Sequence, residues 1–143
     1  MNIDGVTRGL VIDHIKAGRG MDIYKFLNLD KLDCCVAIIK NARSGKTGRK
    51  DLIKIEDRID IDLDVLGFAD PDVTVNIIDD AHIVEKKRMK LPERVTNVVK
   101  CTNPRCITSV EQELPHVFEL VDREKGVYRC KYCEQVYDRK KKD

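Results

Sequence analysis

Four cysteines in the C-terminal third of the chain have the spacing of metal ligands. Cys101 and Cys106 are separated by four residues, Cys130 and Cys133 by two, and 23 residues lie between the pairs. Each short loop can place both of its sulfurs on one ion, and the intervening segment is long enough for strands that bring the pairs together. Four thiolates at this spacing are typical of a tetrahedral zinc site. Two disulfides and an iron site use the same residues and are the alternatives.

Such a site would serve folding rather than catalysis. Four protein ligands complete the tetrahedron and leave no position for water or substrate. The segment that carries them has few large apolar side chains with which to build a core, namely Phe118, Tyr128, Tyr132 and Tyr137. We therefore expect one structural Zn²⁺ per chain, supplying on the order of 10 kcal/mol of folding free energy. The zinc-bound segment should present an interaction surface.

Other candidate residues for chemistry are isolated in the sequence. Asp13 and His14 are adjacent on a predicted strand and should point to opposite faces, which suits phosphate and ribose contacts better than a proton relay. His82 and His116 have no identifiable partner. The sequence contains no Ser/His/Asp or Cys/His arrangement for nucleophilic catalysis, so it predicts a protein that is not an enzyme.

One apparent phosphate-binding motif fails on its spacing. The segment SGKTGRK (44–50) resembles part of a P-loop, but the first glycine of the full pattern is replaced by Lys40. The segment also joins two predicted strands, whereas a P-loop opens a helix. We expect a hairpin loop here.

Composition limits the class of protein. The chain has 143 residues, of which 42% are hydrophobic and 36% charged, enough to build one compact domain or two small ones. Its longest apolar run spans residues 34–39, far short of the roughly 20 residues of a membrane helix. The N-terminus lacks the pattern of a secretory signal. We expect a cytoplasmic location without membrane contact, in which Cys34 and Cys35 are thiols packed in the sheet.

Charge argues against nucleic acid as a partner. The net charge is only +2, whereas a protein that grips phosphates should be clearly basic. The basic run at residues 139–142 is expected to be a solvated tail. A zinc-ribbon nucleic-acid-binding protein remains the alternative function.

Hydrophobic patterning divides the chain near Leu91-Pro92. Before this point, apolar spacing predicts strands at 10–15, 34–39, 52–55, 73–78 and from 82, helices at 20–29 and 63–67, and a loop at 41–48. This order predicts an α+β, ferredoxin-like βαββαβ domain over residues 1–92, with its helices on one face of the sheet. Residues 93–143 are expected to form a small all-β four-cysteine zinc domain.

Several motifs together resemble the regulatory chain of aspartate carbamoyltransferase. They are RGLVIDHI (8–15), TGRKDLIKIE (47–56), TVNIID (74–79), LPERVTNVVKC (91–101) and the cysteine pairs CTNPRC and CKYC. They occur in the family's order, close to its spacing, and cover nearly the whole chain.

The resemblance implies a noncatalytic subunit of pyrimidine biosynthesis. The N-terminal domain would bind nucleoside triphosphates, with CTP inhibitory and ATP commonly activating. The zinc domain would dock on the catalytic chain, and regulatory chains would pair through their N-terminal domains. A nucleotide that prefers one quaternary state would then shift the catalytic equilibrium by its differential affinity, typically about 1–3 kcal/mol.

The resemblance also implies the polar contacts of a nucleotide pocket. Asp13 and His14 match the acidic residue and histidine near ribose and phosphates. Lys54 matches a lysine that contacts base and ribose, and Lys86 a lysine that contacts phosphate. These residue types suit the ligand, because a triphosphate needs positive charge and a ribose hydroxyl can donate to a carboxylate.

Three further positions of the pocket follow from the resemblance. Asn76 and Ile78 match positions that line the site, and the backbone of Val6 matches one that helps to read the base. Ala81 stands where relatives carry a tyrosine, so the apolar wall is expected to be thinner here.

Overall fold

The computed structural model describes residues 7–45 and 48–137. The chain divides into two compact units between Lys90 and Leu91. None of the helices in the described ranges is long and apolar enough to cross a membrane. Val6, Lys46, Thr47 and the basic run 139–142 lie outside the described residues.

The first unit combines five strands with two short helices. Its strands are β1 (Gly9–Lys16), β2 (Val36–Ser44), β3 (Gly48–Ile55), β4 (Thr74–Asp79) and β5 (His82–Arg88), and its helices are α1 (Gly20–Phe26) and α2 (Leu63–Ala69). A 3₁₀ turn at Leu29–Lys31 follows α1, because Asn28 adopts a left-handed backbone with φ 56° and ends the predicted longer helix. The Asp62 carboxylate caps α2 by accepting from the backbone N–H groups of Asp64 and Val65.

The loop predicted at 41–48 is largely strand. β2 continues to Ser44 and β3 begins at Gly48, so the hairpin connection is much shorter than its Gly and Ser content indicated. β2 also starts at Val36, after the two cysteines predicted to lie in it. Cys34 packs against the core, but Cys35 is exposed. The prediction that both thiols pack in the sheet is therefore wrong, because neither lies in a strand and only Cys34 packs against the core.

The five strands form an antiparallel sheet in the order β2-β3-β1-β4-β5. One face carries the main core, in which Ile12 and Ile53 from the strands pack with Ile23 of α1 and Leu66 of α2. The other face has a smaller apolar cluster of strand residues, Val11, Leu52 and Ile78 with Ala42 beside them. We call this second face the open face, since the helices pack on the other side.

A β-bulge interrupts β1 opposite β3. The register between the two strands shifts between Ile12 and Ile15, and His14 takes a left-handed backbone with φ 63°. The extra residue returns Ile15 to the core face. It also breaks the strict alternation that the sequence predicts for Asp13 and His14.

The second unit is a small β domain with one helical turn. Its elements are β6 (Arg94–Thr96), α3 (Ile107–Val110), β7 (Val117–Asp122) and β8 (Val127–Cys130), and the sheet order is β6-β7-β8. Its core includes Val95, Phe118 and Tyr128. The Tyr128 hydroxyl donates to the Pro92 carbonyl, which ties β8 to the start of the unit. The four-residue α3 is an addition to the predicted all-β arrangement.

Candidate metal centre and ligand-binding face

The second unit brings four thiols to one point. The Sγ atoms of Cys101, Cys106, Cys130 and Cys133 all lie within 4.8 Å of one another. The Cys101–Cys133 pair is 3.5 Å apart and the Cys106–Cys130 pair 3.7 Å. Zn–S bonds of 2.3 Å in a tetrahedron require S···S separations of about 3.8 Å, whereas a disulfide requires about 2.05 Å. The cluster therefore fits a tetrahedral metal ion and not two disulfides.

Local backbone geometry positions each sulfur. Cys106 has an extended backbone and precedes the first residue of α3. Cys130 is the last residue of β8, and Cys133 lies in the following turn, which Glu134 closes with φ 66°. The β7–β8 hairpin thus carries the second pair back to the first, as the spacing predicts.

Burial and hydrogen bonding give the thiols different acidities. Burial raises the pKa of Cys101 to about 12 and also raises the pKa of Cys130 above its usual 9.0. Burial acts in the same direction on Cys133, but hydrogen bonds from the Gln135 backbone and the Asn103 side chain outweigh it and lower its pKa to about 7. A metal ion that binds here as a thiolate complex must displace protons from the more buried thiols.

Two residues form hydrogen bonds with the ligand cysteines, and cysteine spacing does not predict either of them. The Thr108 hydroxyl donates to Cys106 Sγ at 3.0 Å. The sequence identifies no partner for His116, but in the structure its Nδ1 accepts from the backbone N–H of Cys101 at 3.2 Å. A hydroxyl two residues after a ligand cysteine is the one signal in the sequence that could have identified Thr108.

On the open face of the first unit, the strand register aligns the predicted nucleotide residues. Val11 is paired with Lys54 on one side and Asn76 on the other, and Asn76 is paired with Lys86. Directly paired residues have Cβ atoms about 4.5–5.5 Å apart and share a face. We call Lys54, Val11, Asn76 and Lys86 the central row.

Asp13 and Ile78 flank the central row along the strands. Asp13 is paired with Thr74, two residues from Asn76 on the same strand. Ile78 lies two residues beyond Asn76 in the other direction and belongs to the apolar cluster of the open face. The structure therefore brings five predicted positions to one face, namely Asp13, Lys54, Asn76, Ile78 and Lys86.

The bulge in β1 gives His14 a different position from the one expected. Its side chain is exposed, and Nδ1 lies 3.2 Å from Thr74 Oγ1 and 3.8 Å from Asp13 Oδ2. Strand alternation predicts adjacent residues on opposite faces, but the left-handed backbone of His14 turns its ring toward the Asp13 side. The imidazole can therefore act together with the open-face residues.

Asp13 already has a charged partner. Its carboxylate Oδ1 lies 2.8 Å from Lys50 Nζ, and both side chains are largely buried. The same Oδ1 accepts from the His14 backbone N–H at 2.7 Å. The sequence does not indicate a role for Lys50, because an ion pair between residues 37 positions apart has no local pattern. The pair holds the carboxylate in place beside the bulge.

Asn76 has an unsatisfied polar atom at the centre of the row. The residue is only 4% exposed, and its side-chain Oδ1 has no hydrogen-bond partner within the described residues. A buried acceptor without a partner costs about 1–3 kcal/mol. The sheet therefore presents an acceptor suited to a bound molecule that carries a donor.

Comparison with known proteins assigns both units. Residues 1–90 match the family model described as aspartate carbamoyltransferase regulatory chain, allosteric domain. Residues 93–143 match the model described as aspartate carbamoyltransferase regulatory chain, metal binding domain.

Whole-length relatives carry the same description. The aspartate carbamoyltransferase regulatory chain of Clostridium acetobutylicum is 53% identical over 96% of this chain and 94% of the relative. That of Clostridium tetani is 51% identical over 96% of each chain. That of Bifidobacterium longum is 43% identical over 94% of this chain and 97% of the relative. This protein belongs to the aspartate carbamoyltransferase regulatory chain family, as a noncatalytic chain with an allosteric domain followed by a metal-binding domain.

Proposed function

We propose that this chain binds nucleoside triphosphates on the open face of a ferredoxin-like domain, residues 1–92, and transmits their effect to catalytic chains through a zinc domain, residues 93–143. CTP is the proposed inhibitor and ATP the proposed activator. The chain would pair with a second copy of itself through the N-terminal domain and act in the cytoplasm.

The orphaned Asn76 oxygen is the observation that carries the proposal for nucleotide binding. It lies in the central row, with Lys54 two strands away on one side and Lys86 on the adjacent strand. A nucleoside supplies hydroxyl and amino donors for this oxygen, whereas its triphosphate offers only acceptors. The nucleoside part would therefore lie over Asn76, with the apolar side chain of Ile78 beside it.

Positive charge for the triphosphate comes from the edge of the same face. Lys86 is exposed on β5, and Arg88 is paired in register with Thr74, beside His14. Charge-assisted hydrogen bonds from such groups are about twice as strong as neutral ones. Asp13 would accept from a ribose hydroxyl with the oxygen that Lys50 does not occupy. Val6, which lies outside the described residues, is proposed to contribute its backbone to base recognition.

The metal centre supports the docking half of the proposal. The donor set of Cys101, Cys106, Cys130 and Cys133 suits one structural Zn²⁺, which would hold the loops at 101–106 and 130–133 in place. Exposed apolar side chains near these loops, Ile107, Val110, Tyr132 and Val136, offer contact area for a catalytic chain. The four cysteines would bind the metal ion, and the ion would fix the orientation of this surface. They would take part in no bond-making step.

Equilibrium titration of the full-length chain with CTP and ATP tests the nucleotide site. We expect Asn76→Leu and Lys86→Ala each to weaken binding by at least about tenfold, since each removes a hydrogen-bonding group aimed at the ligand. Lys87→Ala is the matched control, because Lys87 is the next residue of β5 and points to the helix-bearing face beside Glu85. Unchanged affinity in both open-face variants would remove the pocket assignment.

Co-purification tests the docking partner. The chain is expected to form a complex with an aspartate carbamoyltransferase catalytic chain, whose activity then responds to CTP and ATP. A chain that binds nucleotides but forms no such complex would refute docking while leaving the nucleotide site in place. Binding to nucleic acid instead of a catalytic chain would favour the zinc-ribbon alternative.

A further inference from the structure

A buried hydroxyl points directly at one sulfur of the metal centre. Thr108 is 3% exposed, and its Oγ1 donates to Cys106 Sγ at 3.0 Å. Cys106 precedes α3 with an extended backbone, and Thr108 is the second residue of that helix. The helical turn therefore folds the hydroxyl back onto the cysteine that precedes it.

A four-thiolate site needs such donors. A divalent cation with four thiolates carries a net charge of −2, which must be offset in a largely buried position. Hydrogen bonds from backbone N–H groups offset part of this charge. Asn103 donates to Cys101, Tyr132 to Cys130 and Gln135 to Cys133. Side chains also donate, from Asn103 to Cys133 and from Thr108 to Cys106. The Thr108 donor can be removed by substitution without changing the backbone.

We propose that Thr108 is a positioning residue of the metal centre, whose hydroxyl holds Cys106 Sγ in its ligating orientation and offsets its negative charge. The inference rests on the proposed four-cysteine metal site. Partners of metal ligands commonly contribute about 10- to 100-fold in metal affinity. The hydroxyl should therefore strengthen metal retention, although it makes no bond to the metal.

Paired substitutions separate this role from simple packing. Thr108→Val keeps the volume and the branched shape but removes the donor, while Thr108→Ser keeps the donor and removes a methyl group. Thr96→Val is the matched control, because it makes the same substitution at an exposed position of β6 that is paired with Val117 and lies outside the cysteine cluster. Each variant is made in the full-length chain.

Cobalt substitution and chelator competition provide the measurements. In the Co²⁺-loaded Thr108→Val chain we expect the thiolate-to-cobalt charge-transfer bands to move to longer wavelength, because a thiolate without its hydrogen bond is a better electron donor. Zinc affinity measured against a chelator should fall by about 10- to 100-fold. Thr108→Ser and Thr96→Val should keep both the wild-type bands and the wild-type affinity.

Several outcomes would overturn the proposal. Wild-type bands and affinity in Thr108→Val would show that the hydroxyl has no effect on the metal. Equal losses in Thr108→Ser and Thr108→Val would assign the effect to packing. Failure of the wild-type chain to bind Co²⁺ or Zn²⁺ would refute the metal site itself. This outcome differs from the two above, in which the wild-type chain binds the metal.

A measurement on the unmodified chain covers the case in which Thr108→Val does not fold. After ¹¹³Cd loading, the Thr108 hydroxyl proton should exchange slowly with solvent and show a scalar coupling to the metal across the hydrogen bond. Fast exchange without this coupling would contradict the proposed contact.

Discussion

Asp51 shows how one buried carboxylate can organise backbone that is distant in sequence. The residue is fully buried, and its oxygens accept from the backbone N–H groups of Gly18, Gly20 and Asn41 at 2.8–3.0 Å. These donors belong to the turn before α1, to the first residue of α1 and to the irregular part of β2. A Cβ at Gly20 would lie 2.9 Å from Asp51 Oδ2, so the approach requires glycine there.

Replacing Asp51 with asparagine should lower the free energy of unfolding by about 1–3 kcal/mol at neutral pH. The amide has one acceptor oxygen instead of two, so at least one buried N–H loses its partner. Chemical denaturation measures the change. Asp57→Asn is the control, because Asp57 is exposed and, within residues 7–45 and 48–137, accepts only from the neighbouring Arg58 N–H. A loss of stability no larger than that of the control would contradict this role.

The effect of Asp51 should depend on pH in a defined direction. Burial alone would raise the pKa of Asp51, but the three N–H donors and the nearby charge of Lys40 outweigh it and lower the pKa below 3.8. The ionised carboxylate therefore contributes stability above pH 3.8 that is lost as the pH falls through its folded pKa. The stability difference between wild type and Asp51→Asn should be constant near neutrality and shrink in acid. A difference that grows in acid would be inconsistent with a lowered pKa.

Several residue-level contacts were beyond prediction from the sequence. Cysteine spacing predicted the four-thiol cluster, and the family resemblance predicted nucleotide contacts for Asp13 and Lys86, which stay predictions. The Thr108 and Lys50 contacts depend on how the chain returns on itself, so local pattern does not contain them.

At the scale of elements, strand register decides which side chains meet. A one-residue change of register would move every side chain of a strand to the opposite face. The bulge between Ile12 and Ile15 is such a change, confined to one strand. Apolar patterning predicted the order of strands and helices, but not this bulge or the length of β2. The bulge is a property of the pairing between β1 and β3, so the pattern of β1 alone does not show it.

The β4–β5 hairpin contains a residue in an unfavourable conformation. Its two-residue loop is Asp80-Ala81, and Ala81 has φ 63°. The left-handed region costs a residue with a Cβ roughly 1–2 kcal/mol. We expect Ala81→Gly to raise the free energy of unfolding by about 1 kcal/mol, measured by chemical denaturation.

Ala37→Gly is the matched control for the hairpin prediction. Ala37 lies in β2 without a positive φ, so the same substitution should lower stability by roughly 0.5–1 kcal/mol. Equal effects of the two substitutions would show that the conformation of Ala81 is not strained.

At the scale of the whole molecule, the two units differ in what stabilises them. The first has a large apolar core between sheet and helices, whereas the buried residues of the second include three of the four clustered cysteines. Removing the metal with a chelator should therefore unfold residues 91–143 and leave the first unit folded. Amide NMR spectra before and after chelation measure this, with readdition of Zn²⁺ restoring the lost signals.

Single cysteine substitutions should reproduce the effect of chelation selectively. Cys130→Ser is expected to abolish metal binding, whereas Cys35→Ser should bind one metal ion per chain, because Cys35 is exposed and outside the cluster. A second unit that stays folded without metal would contradict the dependence on the ion.

Metal affinity should rise steeply with pH. In the unfolded, metal-free segment a cysteine thiol has its ordinary pKa of about 8.5, and in the folded unit burial raises the pKa of Cys101 and Cys130 further. Both thiols are therefore mainly protonated between pH 6 and 8 before the metal binds. Binding as thiolates releases both protons, and the apparent affinity should increase by at least about 100-fold per pH unit in this range. Competition against a chelator of known pH dependence measures the slope. A slope below tenfold per unit would show that these thiols are already ionised.

The sequence by itself determined the features that depend on local spacing and residue type. The cysteine pairs, the change in character near Pro92 and the order of strands and helices are all short-range patterns. Tertiary structure alone decided which distant residues meet: the central row across four strands, the orphaned Asn76 oxygen, the Asp13–Lys50 pair and the Thr108 contact. The physical reason is that register, bulges and burial arise from pairing between segments, whereas a linear pattern reports only the preferences of each segment alone.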